Sequence, residues 1–366
     1  MKFSVQRQEL LSTINQVIGA VENRATVPAL SHLLFAVYMR GAIGITATDL
    51  EIFAEAECKA DVPEEGGEAC VPAKKIKEAL DAIPVDTVEF SLEDLTMVLE
   101  GDGIRYTFAC LSAKEFPTVP EYPVEDSVEF VPGVLPKMIN ACVHAAADPA
   151  SASFHLMGVN LRREDDRLIA VATDKYRISL VGLALQQVEN LNKSLILPLK
   201  ACKLISGNVS TIEFFTDDRK AYFLSAQGNI TSALIDAEYL NFRAVIPKDH
   251  PYLTTIDRKR FIEALEACGV VSDDKGRTIR LEIAAKDQLT VSALGSLGTA
   301  SAEIPCTGDY KLKIGLPSRQ LLQALKALDG DEVFLKYNGD RDPLLIFPAD
   351  HGSWDERFEM ICALRV

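Results

Sequence analysis

Leu197-Pro198-Leu199-Lys200-Ala201-Cys202-Lys203-Leu204-Ile205 has a relative on either side of it in the chain. Upstream stands Val71-Pro72-Ala73-Lys74-Lys75-Ile76-Lys77-Glu78-Ala79-Leu80, and downstream Leu316-Pro317-Ser318-Arg319-Gln320-Leu321-Leu322-Gln323-Ala324-Leu325. Each opens with an apolar residue and a proline, then continues as a short amphipathic helix with Lys or Arg early in it. Proline suits the first helical turn, where its missing N–H would go unbonded anyway. The prolines recur after 126 and then 119 residues, a period the size of a domain and not of a solenoid repeat. A chain of 366 residues exceeds what one hydrophobic core serves, so three domains of about 120 residues are expected.

The flanks repeat as well. Met1 to Val5 reads as a strand leading into a helix from Gln6 with Leu10, Ile14, Val17 and Val21 on one face. Val128 to Val131 leads likewise into a helix ending near Ala147, and Thr254 to Ile256 into Asp257 to Cys268, where Phe261, Leu265 and Cys268 align. Alternating strands follow, the clearest being Ala42 to Asp49 and Arg167 to Asp174, whose Thr-Asp endings are in phase with the prolines. The third copy, Gln288 to Gly295, keeps the strand and loses the Thr-Asp. Paired strands joined by polar turns at Gly101-Asp102-Gly103, Asp217-Asp218-Arg219 and Asn338-Gly339-Asp340 close each unit. Helix, strands, helix, strands is an α+β pattern: three similar domains, each of two helices packed on antiparallel sheets. Linkers near Tyr122 to Asp126 and Pro247 to Pro251 set the limits at 1–125, 126–251 and 252–366.

The chain carries a net charge of −15, but the charge is not evenly spread. The six helices, read as 6–20, 72–82, 133–147, 198–207, 257–268 and 316–328, sum to +6 and leave −21 for the rest. Positive charge kept on one repeated element either reflects the ease with which Lys and Arg occupy exposed helix faces or builds a shared basic surface; the threefold repetition favours the second. The eight cysteines are dispersed, with no Cys-x-x-Cys pair and no His at metal-ligand spacing, which suits a reduced cytoplasmic setting. An N-terminus without an apolar core, and the absence of any run of 18 apolar residues, argue against secretion and membrane insertion.

No phosphate-cradling glycine loop, zinc-protease pair or nucleophile elbow occurs. His144, late in an Ala-rich helix, reads as surface or core, and His250 as part of a linker. Asp49 and Asp174 are either a carboxylate pair able to hold a metal for chemistry on a nucleic acid or phosphate, or strand-ending residues that bond the turn after them.

Met1-Lys2-Phe3, Arg24 to Leu30, Thr46 to Glu51, Val71 to Lys75, Phe116-Pro117, Val171 to Arg177, Val245 to Lys248 and the terminal Leu364-Arg365-Val366, in this order and in phase with the repeat, resemble the bacterial DNA polymerase III beta subunit family, the replicative sliding clamps, over the full length. The resemblance implies a non-catalytic DNA clamp fold without cofactor or metal: a head-to-tail homodimeric ring with helices toward the hole and sheets outside. It also implies sequence-independent contact with double-stranded DNA, and a peptide cleft used in turn by DNA polymerase, clamp loader and repair proteins. The basic helices point to Arg24, Lys77, Lys200 and Lys203 as DNA contacts, and the family's DNA-touching aromatic pair falls on Phe154 and His155. Carried over residue by residue, the cleft falls on Leu156, Thr173, Lys175, Tyr176, Arg177, Ile178, Leu240, Val245, Met360, Cys362, Ala363, Leu364 and Arg365. Its apolar anchors would meet Leu156, Ile178, Val245 and Leu364, its polar ends Arg177 and Arg365. The subunit interface falls on Lys74, Arg105, Phe108, Val270 and Val271.

Departures from the family pattern are the tail, Cys362-Ala363-Leu364 before Arg365-Val366 in place of Met-Pro-Met before Arg-Leu, and a third-domain edge, Gly298 to Glu303, with a single acidic residue. The divergent tail also fits a clamp relative specialised for a plasmid, phage or repair pathway.

Overall fold

The computed structural model describes the chain apart from residues 23, 25, 63, 64, 123–127, 149, 151, 152, 185–193, 208–210, 227, 272–277, 286, 297, 309–311, 351, 353, 365 and 366. The helices are α1 (Arg7–Val17), α2 (Ala73–Ala82), α3 (Val134–Cys142), α4 (Leu199–Ser206), α5 (Arg258–Gly269) and α6 (Ser318–Ala327). All six lie within the expected spans except for the last residue of α5; 3₁₀ turns at Ile18–Ala20 and Val143–Ala145 finish the first and third spans. The prolines stand one step earlier than the first-turn reading requires. Pro72 and Pro317 are N-caps, and Pro72, Pro198 and Pro317 each close the preceding strand, Gly67–Pro72, Leu195–Pro198 and Lys313–Pro317. Proline is tolerated at a strand end, where an absent N–H interrupts no central ladder.

The chain forms two compact units, Met1–Lys137 with Lys200–Leu234, and Met138–Leu199 with Ile235–Val366. The first unit holds a four-stranded antiparallel sheet in the order Lys2–Gln6, Thr87–Glu93, Thr96–Gly101, Ile104–Ala109. It also holds a nine-stranded sheet whose middle is the pairing of Gly228–Ala233 with Ile52–Lys59. The turn before strand Thr96–Gly101 is made by Asp94 and Leu95 at positive φ (45° and 60°) and not by glycine. The next turn, Asp102-Gly103, has φ of 48° and 75°, the two left-handed residues of a type I′ hairpin. In the core, Phe3 stacks on Phe90 with centroids 4.7 Å apart, Phe35 meets Phe90 edge-on, and Leu10, Ile14 and Val17 of α1 are buried.

The second unit is built on one twelve-stranded sheet. Arg177–Ala184, fourth in its order, pairs with Glu356–Ile361, so strands more than 170 residues apart are neighbours. Phe261, Leu265 and Cys268 of α5 pack with Leu321 and Leu325 of α6 over Ile279, Leu281, Leu289 and Val291. Asp257 caps α5 by accepting the Arg260 N–H at 2.7 Å.

A charged group is sealed where Arg177–Ala184 pairs with Glu356–Ile361. Arg357 and Glu359 are 2% and 1% exposed and bond at 2.6 Å. The Arg357 guanidinium also donates to the carbonyls of Ala141 (3.0 Å) and Ala327 (3.2 Å), in the last turns of α3 and α6, where unpaired carbonyls carry partial negative charge. Ser179 donates to Glu359 at 2.7 Å, and His144 Nε2 lies 3.2 Å from its other oxygen. His144 is thus a partner of a buried carboxylate.

Candidate functional site

The two strand-ending Thr-Asp pairs fold into the same turn. Thr48 Oγ1 donates to the Ile52 carbonyl at 2.7 Å and accepts the Leu50 N–H, while Asp49 Oδ1 accepts the N–H groups of Glu51 and Ile52 at 3.0 and 2.7 Å. Thr173 Oγ1 donates to the Arg177 carbonyl at 2.6 Å and accepts the Lys175 N–H, while Asp174 Oδ1 accepts those of Tyr176 and Arg177 at 3.0 and 3.1 Å. Leu50 and Lys175 take matching φ of 79° and 81°. Thr216-Asp217 repeats the side-chain pattern: Thr216 donates to the Lys220 carbonyl, and Asp217 accepts the N–H groups of Arg219 and Lys220. Asp217-Asp218-Arg219, expected as a hairpin turn, is thus entered through the same Thr-Asp signal, Thr216-Asp217, in the sequence.

With one carboxylate oxygen bonded to the turn, the other reaches outward. Asp49 Oδ2 pairs with Lys200. Asp174 Oδ2 accepts from Arg177 Nε at 2.9 Å and from Gln320 at 3.2 Å, and Arg177 Nη1 donates to Gln323 at 2.6 Å. Both Asp residues therefore bond the turns they begin, and no cluster of three metal-ligating side chains occurs among the described residues.

In the second unit four of the residues expected in a cleft, Leu156, Ile178, Leu240 and Met360, share one apolar cluster, while Ala363 packs against the other. Leu156, Ile178 and Met360 are buried in the former with Phe242 and Phe358, and Leu240 packs against it. Leu156 and Ile178, expected to touch a ligand, back the surface from below. What faces solvent is Tyr176 (64% exposed), Val245 (49%) and Leu364 (37%), beside exposed Lys175 and half-buried Leu240, Cys362 and Ala363. Thr173 is buried in its turn, and Arg177 is buried with its guanidinium already bonded, so neither presents a free polar group. Leu364 is held through its backbone, its N–H donating to the Gly315 carbonyl at 2.8 Å. Arg365 lies outside the described residues.

The expected DNA contacts differ in freedom. Lys77 pairs with Asp81 at 2.7 Å. Lys200 is bonded to Asp49 and to the carbonyls of Ala20 and Val21, so its ammonium secures the first unit. Lys203 is exposed at the rim of a cavity of about 380 Å³ shared with Ser12, Asn15, Gln16 and Glu55. Arg24 is exposed, its backbone N–H on Glu22. In the second unit Phe154 is exposed, with the His155 ring edge-on at 5.8 Å.

Of the expected subunit contacts, Phe108 lies on Ile104–Ala109, the outer strand of the four-stranded sheet, stacked on Tyr106; Arg105 pairs with Glu100 at 2.7 Å. Lys74 is exposed on α2 near Glu78. Val270 is exposed at the C-cap of α5, while Val271 packs against the core behind it.

Models of the DNA polymerase III beta subunit match the chain in three successive pieces: the N-terminal domain over residues 1–120, the central domain over 131–241 and the C-terminal domain over 243–357. The chain belongs to the DNA polymerase III beta subunit family. A beta sliding clamp of Pseudomonas putida is 28% identical over 357 residues, 95% of this chain and 96% of that one. That of Staphylococcus aureus strain N315 is 24% identical over 369 residues, covering 96% and 97%. Among solved structures, a sliding clamp of Pseudomonas aeruginosa bound to griselimycin superposes over the whole of both chains with a TM-score of 0.88 at 25% identity. The Thermotoga maritima beta subunit, at 22% identity and a TM-score of 0.87, shares the fold.

The fold is thus the three-domain α+β DNA clamp, and the function that of a sliding clamp, a non-catalytic replication protein. Asp49 and Asp174 as metal ligands of an enzyme is set aside on both grounds, family and geometry. No helix among the described residues is long and apolar enough to cross a membrane.

Proposed function

We propose that two copies of this chain close head to tail into a ring around double-stranded DNA in the cytoplasm, tether the replicative DNA polymerase, and receive clamp loader and repair proteins through short peptides. The domain limits of this reading are 1–125, 126–251 and 252–366. The observation that carries it is the match of all three family domains in order along one chain. The test is light scattering after size exclusion, followed by loading on nicked circular DNA. A dimer retained on circles and released on linearisation is the expected result; one released equally from both forms would overturn enclosure.

DNA contact in this reading is made by Arg24, Lys77, Phe154, His155, Lys200 and Lys203, to the backbone and without regard to sequence. The exposed Lys203 is the clearest probe, because Lys200 and Lys77 have carboxylate partners of their own. Lys203→Ala should weaken binding evenly across sequences and lower the magnitude of the log–log salt slope by about 0.9. An unchanged slope would remove Lys203 from the contact.

The subunit interface is proposed between Ile104–Ala109, a sheet edge carrying Phe108, and the Val270-Val271 corner of the partner subunit, with Lys74 and Arg105 at the margin. An unpaired edge beside an apolar side chain is a ready surface for association. The strand Gly298–Thr307 carries a single acidic residue, Glu303, so apolar burial should dominate and dimerisation should change little between low and moderate salt. Sedimentation at several ionic strengths checks this; sharp dissociation in that range would show an electrostatic interface.

A further inference from the structure

Leu240 and Val245 reach the cleft from a segment with little regular structure, a single 3₁₀ turn at Phe242–Val245. One turn closes too few hydrogen bonds to hold its side chains in place. Phe242 anchors the segment by burying its ring in the apolar cluster below. The next residue, Arg243, ties it sideways. Its guanidinium meets Glu356 in a two-bonded fork, Nη1 to Oε1 at 2.6 Å and Nη2 to Oε2 at 2.9 Å. It also meets Glu164 Oε2 through Nε at 3.1 Å and Nη2 at 2.7 Å.

The positions of those two carboxylates matter. Glu356 opens Glu356–Ile361, the strand that carries Met360 and runs on to Cys362 and Leu364. Glu164 ends Gly158–Glu164, the strand that begins two residues after Leu156. Arg162 steadies the arrangement, bonding Glu164 at 2.8 Å through Nε and lying 4.3 Å over the Phe242 ring; Arg167 adds a 3.5 Å contact to Glu356. A planar guanidinium holding two carboxylates fixes orientation as well as distance, which a single lysine contact does not.

We propose that Arg243 is a positioning residue for the peptide cleft: without touching the bound peptide, it fixes Leu240 and Val245 relative to the strand bearing Met360 and Leu364. The proposal rests on the reading of that cleft as the partner site. Its consequence is kinetic. With the fork cut, the segment samples other positions, and only the fraction with both walls in place binds productively, so association slows while the contacts that resist dissociation stay the same.

The test is stopped-flow and equilibrium binding of a labelled synthetic peptide copying the C-terminal tail of the same organism's replicative polymerase, with full-length protein. Arg243→Ala should weaken binding about three- to tenfold, mostly through the association rate. Arg243→Lys should restore only part of it, since an ammonium keeps the charge and loses the fork. Glu164→Gln cuts one arm and should fall between wild type and Arg243→Ala, which keeps the proposal testable if Arg243→Ala folds poorly. Tyr176→Ala, at the exposed face, is the control and should act on the dissociation rate. If Tyr176→Ala weakens binding and neither Arg243→Ala nor Glu164→Gln does, Arg243 has no positioning role and the cleft stands. If Arg243→Ala acts on dissociation alone, it touches the peptide and the proposal falls. If no variant alters binding, the cleft itself is misassigned.

Discussion

Arg357→Ala should remove about 3–5 kcal/mol of stability from the second unit, the range for stranding one member of a buried ion pair. Glu359 would keep its charge at 1% exposure with only Ser179 and His144 to answer it, and the carbonyls of Ala141 and Ala327 would lose the guanidinium, leaving Ala141 only the Ser179 hydroxyl. The same group makes stability depend on acid. Burial pushes the Glu359 carboxyl up, but Arg357 first, then His144 and Ser179, more than reverse this and hold it below the ordinary carboxylate range. A carboxyl depressed in the folded state stabilises above its unfolded pKa of about 4.3, and that contribution is lost as pH falls through the folded value. Urea unfolding between pH 7 and 3 should therefore show a declining acid limb that Glu359→Gln flattens. An Arg357→Ala midpoint equal to wild type would mean that water reaches the pair.

Leu364→Ala should weaken a polymerase-tail peptide about three- to sixfold while leaving the dimer intact. A buried leucine side chain contributes about 1.5–3 kcal/mol relative to an exposed one, and Leu364 begins at 37% exposure. Burying that remainder is worth about 0.6–1.1 kcal/mol, or about three- to sixfold. Because its backbone is held by the Gly315 carbonyl and not by its side chain, truncation removes the anchor without releasing the strand. Fluorescence anisotropy on wild type and variant, with light scattering as the control for assembly, reads the effect. Equal affinities would put the partner site elsewhere.

What the sequence could reveal was set by the range of each interaction. The helices were legible because their information is local: the spacing of Leu10, Ile14 and Val17 is enough to define a buried face. The Thr-Asp turns were legible for the same reason, each completed within four residues. The shift of Pro72 and Pro317 to N-cap turns on where the preceding strand ends, which depends on a partner far away in sequence. The candidate cleft was legible as a set of residues but not as a surface, since burial of Leu156 and Ile178 follows from packing with Phe242 and Phe358. Arg243 and Arg357 were not legible at all. The carboxylates of Arg243 lie 79 and 113 positions away and the helix-end carbonyls of Arg357 30 and 216, and nothing in a run such as Asn241-Phe242-Arg243-Ala244 distinguishes a fork from a solvated surface arginine.

The seam between Gly228–Ala233 and Ile52–Lys59 is stitched by main-chain hydrogen bonds. A ladder of amides and carbonyls does not read which side chains stand above and below it, so long as they alternate suitably and admit no proline. Joints of this kind place few demands on the letters of the sequence. Mutational drift can then replace most residues along a seam without changing how the strands register. A lineage can thus diverge to about a quarter of its residues in common and keep its joinery, leaving its side chains free to renegotiate partners.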